Sequence, residues 1–225
     1  KKLIAKLMNT ICGKPYSFFL ANHKFELTFN EYALLSHWLK LARKNLPIEY
    51  ILGYTEFFSR KFWVNKNVLI PRHETEPLVN ICLESCENLF KKRKQKIQIL
   101  ELGTGSGAVI ISIVLELMKK NIPINACATD ICEKALEVAR NNSSWWGTDI
   151  TFSRQDWLEN HSFPEEKFDI IFFNPPYVAA SYSEKENFQK SFEPKLAFFG
   201  KIPSETGLLD YHRILNNIKT KNIKK

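Results

Sequence analysis

The stretch Ile97-Gln98-Ile99-Leu100-Glu101-Leu102-Gly103-Thr104-Gly105-Ser106-Gly107-Ala108 restricts the fold more than any other part of this chain. Its first half is an apolar run of strand length. Its second half sets Gly103, Gly105 and Gly107 on alternate positions just before an apolar, helix-like pattern. A buried strand that turns this tightly into a helix is the opening of a βαβ unit. Glycine permits the turn and lets a ligand approach the backbone, and the helix start then offers free N–H groups to an anionic group. The alternation continues downstream. Strands are predicted near 97–101, 124–129, 150–154 and 168–173, with helices near 106–119 and 132–142. That order implies a parallel sheet with right-handed crossovers. Asp130 ends the second strand, 23 residues after Gly107, where an acid can accept hydrogen bonds from a ribose diol.

Composition serves mainly to exclude. The 225 residues, 44% hydrophobic and 25% charged, suit one α/β domain with a small appendage in a soluble protein. No apolar run approaches the ~20 residues of a membrane span. Lys1 to Leu7 is too short and interrupted for a signal peptide, so a cytoplasmic protein is expected. The five cysteines form no CxxC pair and have no histidine set at metal-ligand spacing, so no metal site is expected. They read as reduced structural thiols, with Cys82 and Cys86 sharing a buried helix face. The net charge of +8 is spread along the chain, and its densest run, Lys91 to Lys94, reads as a solvated connection. A monomer with no stable nucleic-acid binding is the expectation.

Before the glycine turn the pattern differs. Residues 1–46 read as a helical domain. Thr28-Phe29-Asn30-Glu31 has the form of a capping box, and Leu34, Leu35, Trp38, Leu41 and Ala42 recur at the spacing of a buried face. That helix should end near Asn45, ahead of Pro47. Residues 47–76 read as a β-hairpin linker, with Ser59-Arg60 between its strands. Thr75 or Glu76 is the predicted N-cap of the next helix and Pro77 its first residue, with Leu78, Val79, Cys82, Cys86, Leu89 and Phe90 as its apolar stripe. Residues 77–225 then form the main domain.

Asn174-Pro175-Pro176-Tyr177 follows the fourth strand, at the carboxyl edge where open α/β sheets bind ligands. Two prolines hold the backbone extended and remove two N–H donors. What remains is a strip of acceptors, the Asn174 side-chain oxygen and a main-chain carbonyl, suited to an NH2 group with two in-plane hydrogens. Tyr177 can pack against the flat face of an amide or base. An amide nitrogen is a poor nucleophile, and accepting both of its hydrogens orients it toward an electrophilic methyl group. By itself the glycine turn is ambiguous, because Gly103-x-Gly105-x-x-Ala108 also fits a dinucleotide fingerprint and leaves NAD open. A Walker loop is excluded, since no Gly-Lys-Ser/Thr follows.

Together, Leu102 to Gly107, Asp130, Asp156-Trp157 and Asn174 to Tyr177 resemble a class I methyltransferase of the HemK/PrmC family, the release factor glutamine methyltransferases. Pro47 to Gly53, Leu69 to Glu76, Glu193 to Ala197 and Gly207 to Tyr211 extend the resemblance over about residues 28–215. It implies a Rossmann-like parallel sheet that uses S-adenosylmethionine, with residues 1–46 recognising the substrate. Gly103, Thr104, Gly105, Ser106 and Gly107 would cradle the cofactor, Asp130 its ribose and Trp157 its adenine, with Asn174 also touching it. Asn174, Pro175, Pro176 and Tyr177 would be catalytic, holding the glutamine of the Gly-Gly-Gln loop in class 1 release factors. An adenine-N6 methyltransferase uses the same strip, and an inactive relic would keep it. Two departures stand out: His73 occupies a position usually held by proline, and the family's C-terminal strand pair is expected to be missing after Lys219 to Lys225.

Overall fold

The computed structural model describes residues 2–157, 168–183 and 191–221, and the chain divides into two compact units, Lys1–Tyr54 and Thr55–Lys225. The first unit is helical: α1 (Lys2–Cys12), α2 (Tyr16–Ala21), α3 (Phe29–Arg43) and α4 (Ile48–Leu52). The capping box is present, with Glu31 N–H donating to Thr28 Oγ1 and Thr28 N–H to Glu31 Oε2 at 2.8 Å. The expected buried face of α3 is not: none of its residues is fully buried and Leu34 is 41% exposed. Leu35, Trp38, Leu41 and Ala42 reach only partial burial, because a unit of short helices has little interior and gives its deepest places to Leu7 and Ile51.

The hairpin is β1 (Tyr54–Phe57) and β2 (Arg60–Trp63), and it turns at Phe58-Ser59, one residue earlier than predicted. Both turn residues are left-handed, φ 48° and 58°, without a glycine. The Phe58 N–H donates to the Glu76 carboxylate at 3.0 Å, which fixes the turn at this place. A short 3-10 turn, His73–Thr75, runs into α5 (Glu76–Arg93), so Pro77 is the second helical residue rather than the first. Lys91, Lys92 and Arg93 form the last turn of α5 rather than a connection, where cations suit the helix dipole. Cys82 and Cys86 lie buried on the inner face of α5, and burial pushes both thiols up to about 12. All five cysteines are free thiols.

The sheet contains β3 (Ile97–Leu102), β4 (Ile124–Asp130), β5 (Ile150–Arg154) and β6 (Ile170–Phe173), all parallel, in the order β5-β4-β3-β6. The α/β class with a parallel sheet is thus as expected. Alternate residues of β3 face opposite cores. Ile97 and Ile99 pack toward α5 and α6 (Ala108–Lys119) with Phe57 and Phe62, whereas Leu100 and Leu102 meet Ile214 and Ile218 of α9 (Leu209–Lys221). A strand buried on both faces must be apolar throughout, hence the continuous run in the sequence. α7 (Glu133–Trp146) links β4 to β5, and α8 (Lys195–Phe199) precedes α9. β6 begins two residues later than predicted because Asp169 is engaged elsewhere, accepting from Gln98 N–H and Arg93. After β5 the order reverses across β3, so the switch point lies between β3 and β6. No helix among the described residues is long and apolar enough to cross a membrane.

Candidate active site

Register decides what meets at the switch point. Leu102 pairs with Phe173, so the next residues of each strand, Gly103 and Asn174, leave the sheet side by side. On the other flank Leu102 pairs with Thr129, whose carbonyl accepts from Gly103 N–H at 2.8 Å and Thr104 N–H at 2.9 Å. Asp130 continues the same work. Its carboxylate accepts from Gly105 N–H and Cys132 N–H, both at 2.9 Å, and so clasps the glycine turn to the start of α7. Burial raises its pKa, and these two backbone donors oppose that shift.

The three turn glycines have different reasons to be glycine. At Gly103 (φ 73°) a Cβ would lie 2.8 Å from the Trp157 ring. Gly105 (φ 55°) has open space above it, room for a ligand to reach the backbone. At Gly107 (φ 79°) a Cβ would strike Ile111 at 2.9 Å and Ala139 at 3.2 Å, so this residue serves the close packing of α6 on α7. Buried Asn142 joins the turn to the hairpin: its Oδ1 accepts from Trp63 N–H, and its Nδ2 donates to the carbonyls of Trp63 and Ser106.

Gly103, Thr104, Gly105, Ser106, Asp130, Trp157, Asn174 and Pro176 line one cavity above the carboxyl ends of the strands. Gly107, Pro175 and Tyr177 do not line it. Pro175 is buried, and Tyr177 is 61% exposed, with its carbonyl packed beneath Gly207. His73 is also outside the cavity and bonds Glu76 at 2.9 Å.

Several lining contacts have no short-range sequence signal. Trp157 Nε1–H donates to Asp210 Oδ1 at 2.9 Å, and Asn217 donates to the Trp157 carbonyl at 2.7 Å, so α9 seats the Trp157 wall. Glu193 accepts from Ile70 N–H and pairs with Arg72. Lys201 pairs with Asp156. Only pairings across 45 to 123 residues create these walls, which a local pattern cannot announce.

The cavity wall carries three carboxylates, Asp130, Asp156 and Asp210, against the cations Arg72 and Lys201, with Glu101 buried in its protonated form beside them. That balance suits a cationic sulfonium ligand and opposes the doubly anionic pyrophosphate of a dinucleotide. Together with the open face of Gly105, the residues present fit S-adenosylmethionine. Among the described residues no group of His, Cys, Asp and Glu could hold a metal ion.

Glu101 is only 4% exposed and accepts from the Thr104 hydroxyl at 2.5 Å. Burial pushes its carboxyl up to about 8, against 4.5 ordinarily, with the neighbouring Asp130 adding to the rise. Between those two values the folded protein holds a proton that the unfolded chain releases. Stability from this group is therefore full below about 4.5 and is lost as pH rises toward 8. Glu101→Gln keeps an acceptor for Thr104 and removes the titration. Urea unfolding of both proteins at several pH values should show the variant gaining on the parent by roughly 1 kcal/mol per pH unit inside that window. Parallel curves would mean that Glu101 does not titrate there.

Residues 85–194 match the family model of the methyltransferase small domain. The release factor glutamine methyltransferase of Bacillus cereus is 33% identical over 200 residues, covering 88% of this chain and 68% of that protein. The release factor glutamine methyltransferase of Flavobacterium psychrophilum is 40% identical over 185 residues, covering 80% and 60%. The bifunctional methyltransferase of Rickettsia bellii is 36% identical over 239 residues, covering 95% of this chain but 41% of that protein. The chain thus spans under half the length of the Rickettsia relative and about two thirds of the Bacillus one.

Proposed function

The chain belongs to the release factor glutamine methyltransferase family, and from that premise we propose that it methylates the side-chain amide nitrogen, N5, of a glutamine in the Gly-Gly-Gln motif of a class 1 peptide chain release factor. The cofactor is S-adenosylmethionine, whose sulfonium supplies an electrophilic methyl group. The observation that carries the reading is the register of β3 and β6, which sets Asn174 beside the glycine turn. Among the described residues the Asn174 side-chain oxygen accepts no hydrogen bond, so it is available to a substrate NH2.

In this reading the turn from Gly103 to Ser106 cradles the methionine part of the cofactor. Asp130 holds the ribose and Trp157 lies beside the adenine. Asn174 Oδ1 and a main-chain carbonyl of the Pro175-Pro176 strip accept the two amide hydrogens of the glutamine. Pro175 is buried, so the strip cannot swing away, and Tyr177 remains free to pack against the flat amide. With S-adenosylmethionine bound, the amide nitrogen so held would accept the methyl group, S-adenosylhomocysteine would be the leaving group, and one amide proton would pass to water. Orientation of this kind contributes several kcal/mol of barrier lowering. Residues 1–46 recognise the factor, 47–76 connect, and 77–225 carry the chemistry.

The test is intact-mass analysis of a release factor incubated with this protein and S-adenosylmethionine, with a Gln→Ala target as blank. Addition of one methyl to the parental factor and none to the blank is the expected result. Labelling of adenine-containing nucleic acid alone would transfer the assignment to adenine-N6 chemistry, which needs the same acceptor strip. No transfer to either class would leave the relic reading.

A further inference from the structure

The segment Pro71-Arg72-His73-Glu74-Thr75-Glu76 is the most distinctive motif that the chemistry above leaves without a task. Thr75 stands at the N-cap of α5, where a threonine ordinarily turns its hydroxyl back onto the first helical N–H groups. It makes no such bond. The backbone explains why. Thr28, which does cap, has extended dihedrals (φ −62°, ψ 160°), whereas Thr75 is already helical (φ −88°, ψ −13°) because the 3-10 turn runs straight into α5. From a helical backbone the side chain cannot fold back. The Thr75 hydroxyl instead faces the cavity, 3.5 Å from Asn174 Nδ2.

We propose that Thr75 is a positioning residue that holds the Asn174 side-chain amide with its NH2 group toward the Thr75 hydroxyl and its oxygen toward the substrate. The inference rests on the reading of Asn174 as an acceptor for the substrate NH2. Asparagine needs such a guide because its terminal torsion is broad and nearly two-fold. A half-turn exchanges acceptor for donor and sets one NH2 against another. An acceptor beside Nδ2 selects the productive rotamer. The contact is long, as catalytic contacts without substrate commonly are, and it shortens as the site fills.

The support for Thr75 is firm on both sides. Thr75 N–H closes the turn on the Arg72 carbonyl at 3.0 Å. Upstream, Glu193 accepts from Ile70 N–H at 3.0 Å and pairs with Arg72 at 2.6 Å. Downstream, Glu76 accepts from Phe58 N–H and bonds His73, and these bonds hold its carboxyl below the usual range. Two carboxylates thus anchor the segment, and the hydroxyl between them is delivered to one place.

The experiment compares Thr75→Val, which keeps the shape without the acceptor, with Thr75→Ser, which restores it. The expected result for valine is a fall in kcat of about tenfold, with S-adenosylhomocysteine affinity and melting temperature unchanged, and recovery with serine. A second readout needs no turnover: the Asn174 side-chain amide resonances, identified by their loss in Asn174→Ala, should shift in Thr75→Val and return in Thr75→Ser. Resonances that stay put in the valine variant overturn the proposal, as does a valine variant with the parental rate. A drop in melting temperature with unmoved resonances assigns Thr75 to the helix cap, again overturning it. If the parent protein methylates no release factor, the proposed glutamine methylation falls, while the resonances still decide whether Thr75 holds Asn174.

Discussion

Replacing Asn174 by alanine should lower methyl transfer by roughly 10²-fold or more, on the order of 3 kcal/mol at the transition state, while cofactor affinity stays within a few-fold. The separation follows from geometry. In the proposed arrangement the cofactor would lie mainly over the glycine turn after β3, whereas the substrate NH2 would depend on the acceptors that follow β6. Alanine removes the side-chain acceptor and leaves both prolines in place, so the strip keeps its course. Asn174→Asp is the sharper variant. It retains an acceptor but adds a charge and loses the NH2 that faces Thr75. Residual activity in aspartate but not alanine would show that acceptance itself matters. The measurement is transfer from labelled S-adenosylmethionine to a release factor, paired with calorimetric binding of S-adenosylhomocysteine. An alanine variant that runs at the parental rate would reduce Asn174 to a turn residue.

A change outside the cavity should be comparably severe. Gly207 is left-handed, φ 73°, and a Cβ there would stand 2.2 Å from the Tyr177 carbonyl oxygen, 2.7 Å from its carbon and 3.0 Å from Ala179 N. All three are backbone atoms, and no side chain can rotate to make room. Gly207→Ala therefore adds left-handed strain of about 1–2 kcal/mol and drives the chain at 177–179 away from α9. The acceptor strip ends at Tyr177, so the displacement reaches the substrate side directly. Methyl transfer should fall about as far as in Asn174→Ala, and the melting temperature should drop by several degrees. Gly147→Ala is the control: it lies outside the cavity at φ 64° with open space around its Cα, so only the left-handed strain applies. Should Gly207→Ala melt and turn over like the parent, the segment is more yielding than its contacts imply.

What could be read from the sequence were the features set by near neighbours. The capping box at Thr28 and Glu31, the alternation from Ile97 to Phe173 and the carboxyl-edge position of Asn174 all depend on short spacings. The failures have one origin. Leu34 has the helical spacing of a core residue, yet spacing cannot say whether a small unit holds enough interior to cover it. Phe58-Ser59 turns without glycine because a carboxylate 18 residues away takes its N–H. Thr75 looks like a cap, and only the preceding 3-10 turn gives its hydroxyl another direction. In each case the surroundings in the fold overrule a sound local rule.

The seat of Trp157 sets the order in which the molecule can be completed. β3, α6, β4, α7 and β5 follow one another along the chain and can assemble as they emerge from the ribosome. The indole waits for Asp210, 53 residues later, and its carbonyl for Asn217, 60 residues later. A nascent chain that has displayed its glycine turn and formed three of its four described parallel strands still has an unfinished pocket, so binding competence arrives last. The ligand cannot template the early sheet, and a nick in α9 would open the Trp157 wall and uncover Leu100 and Leu102 of β3 together.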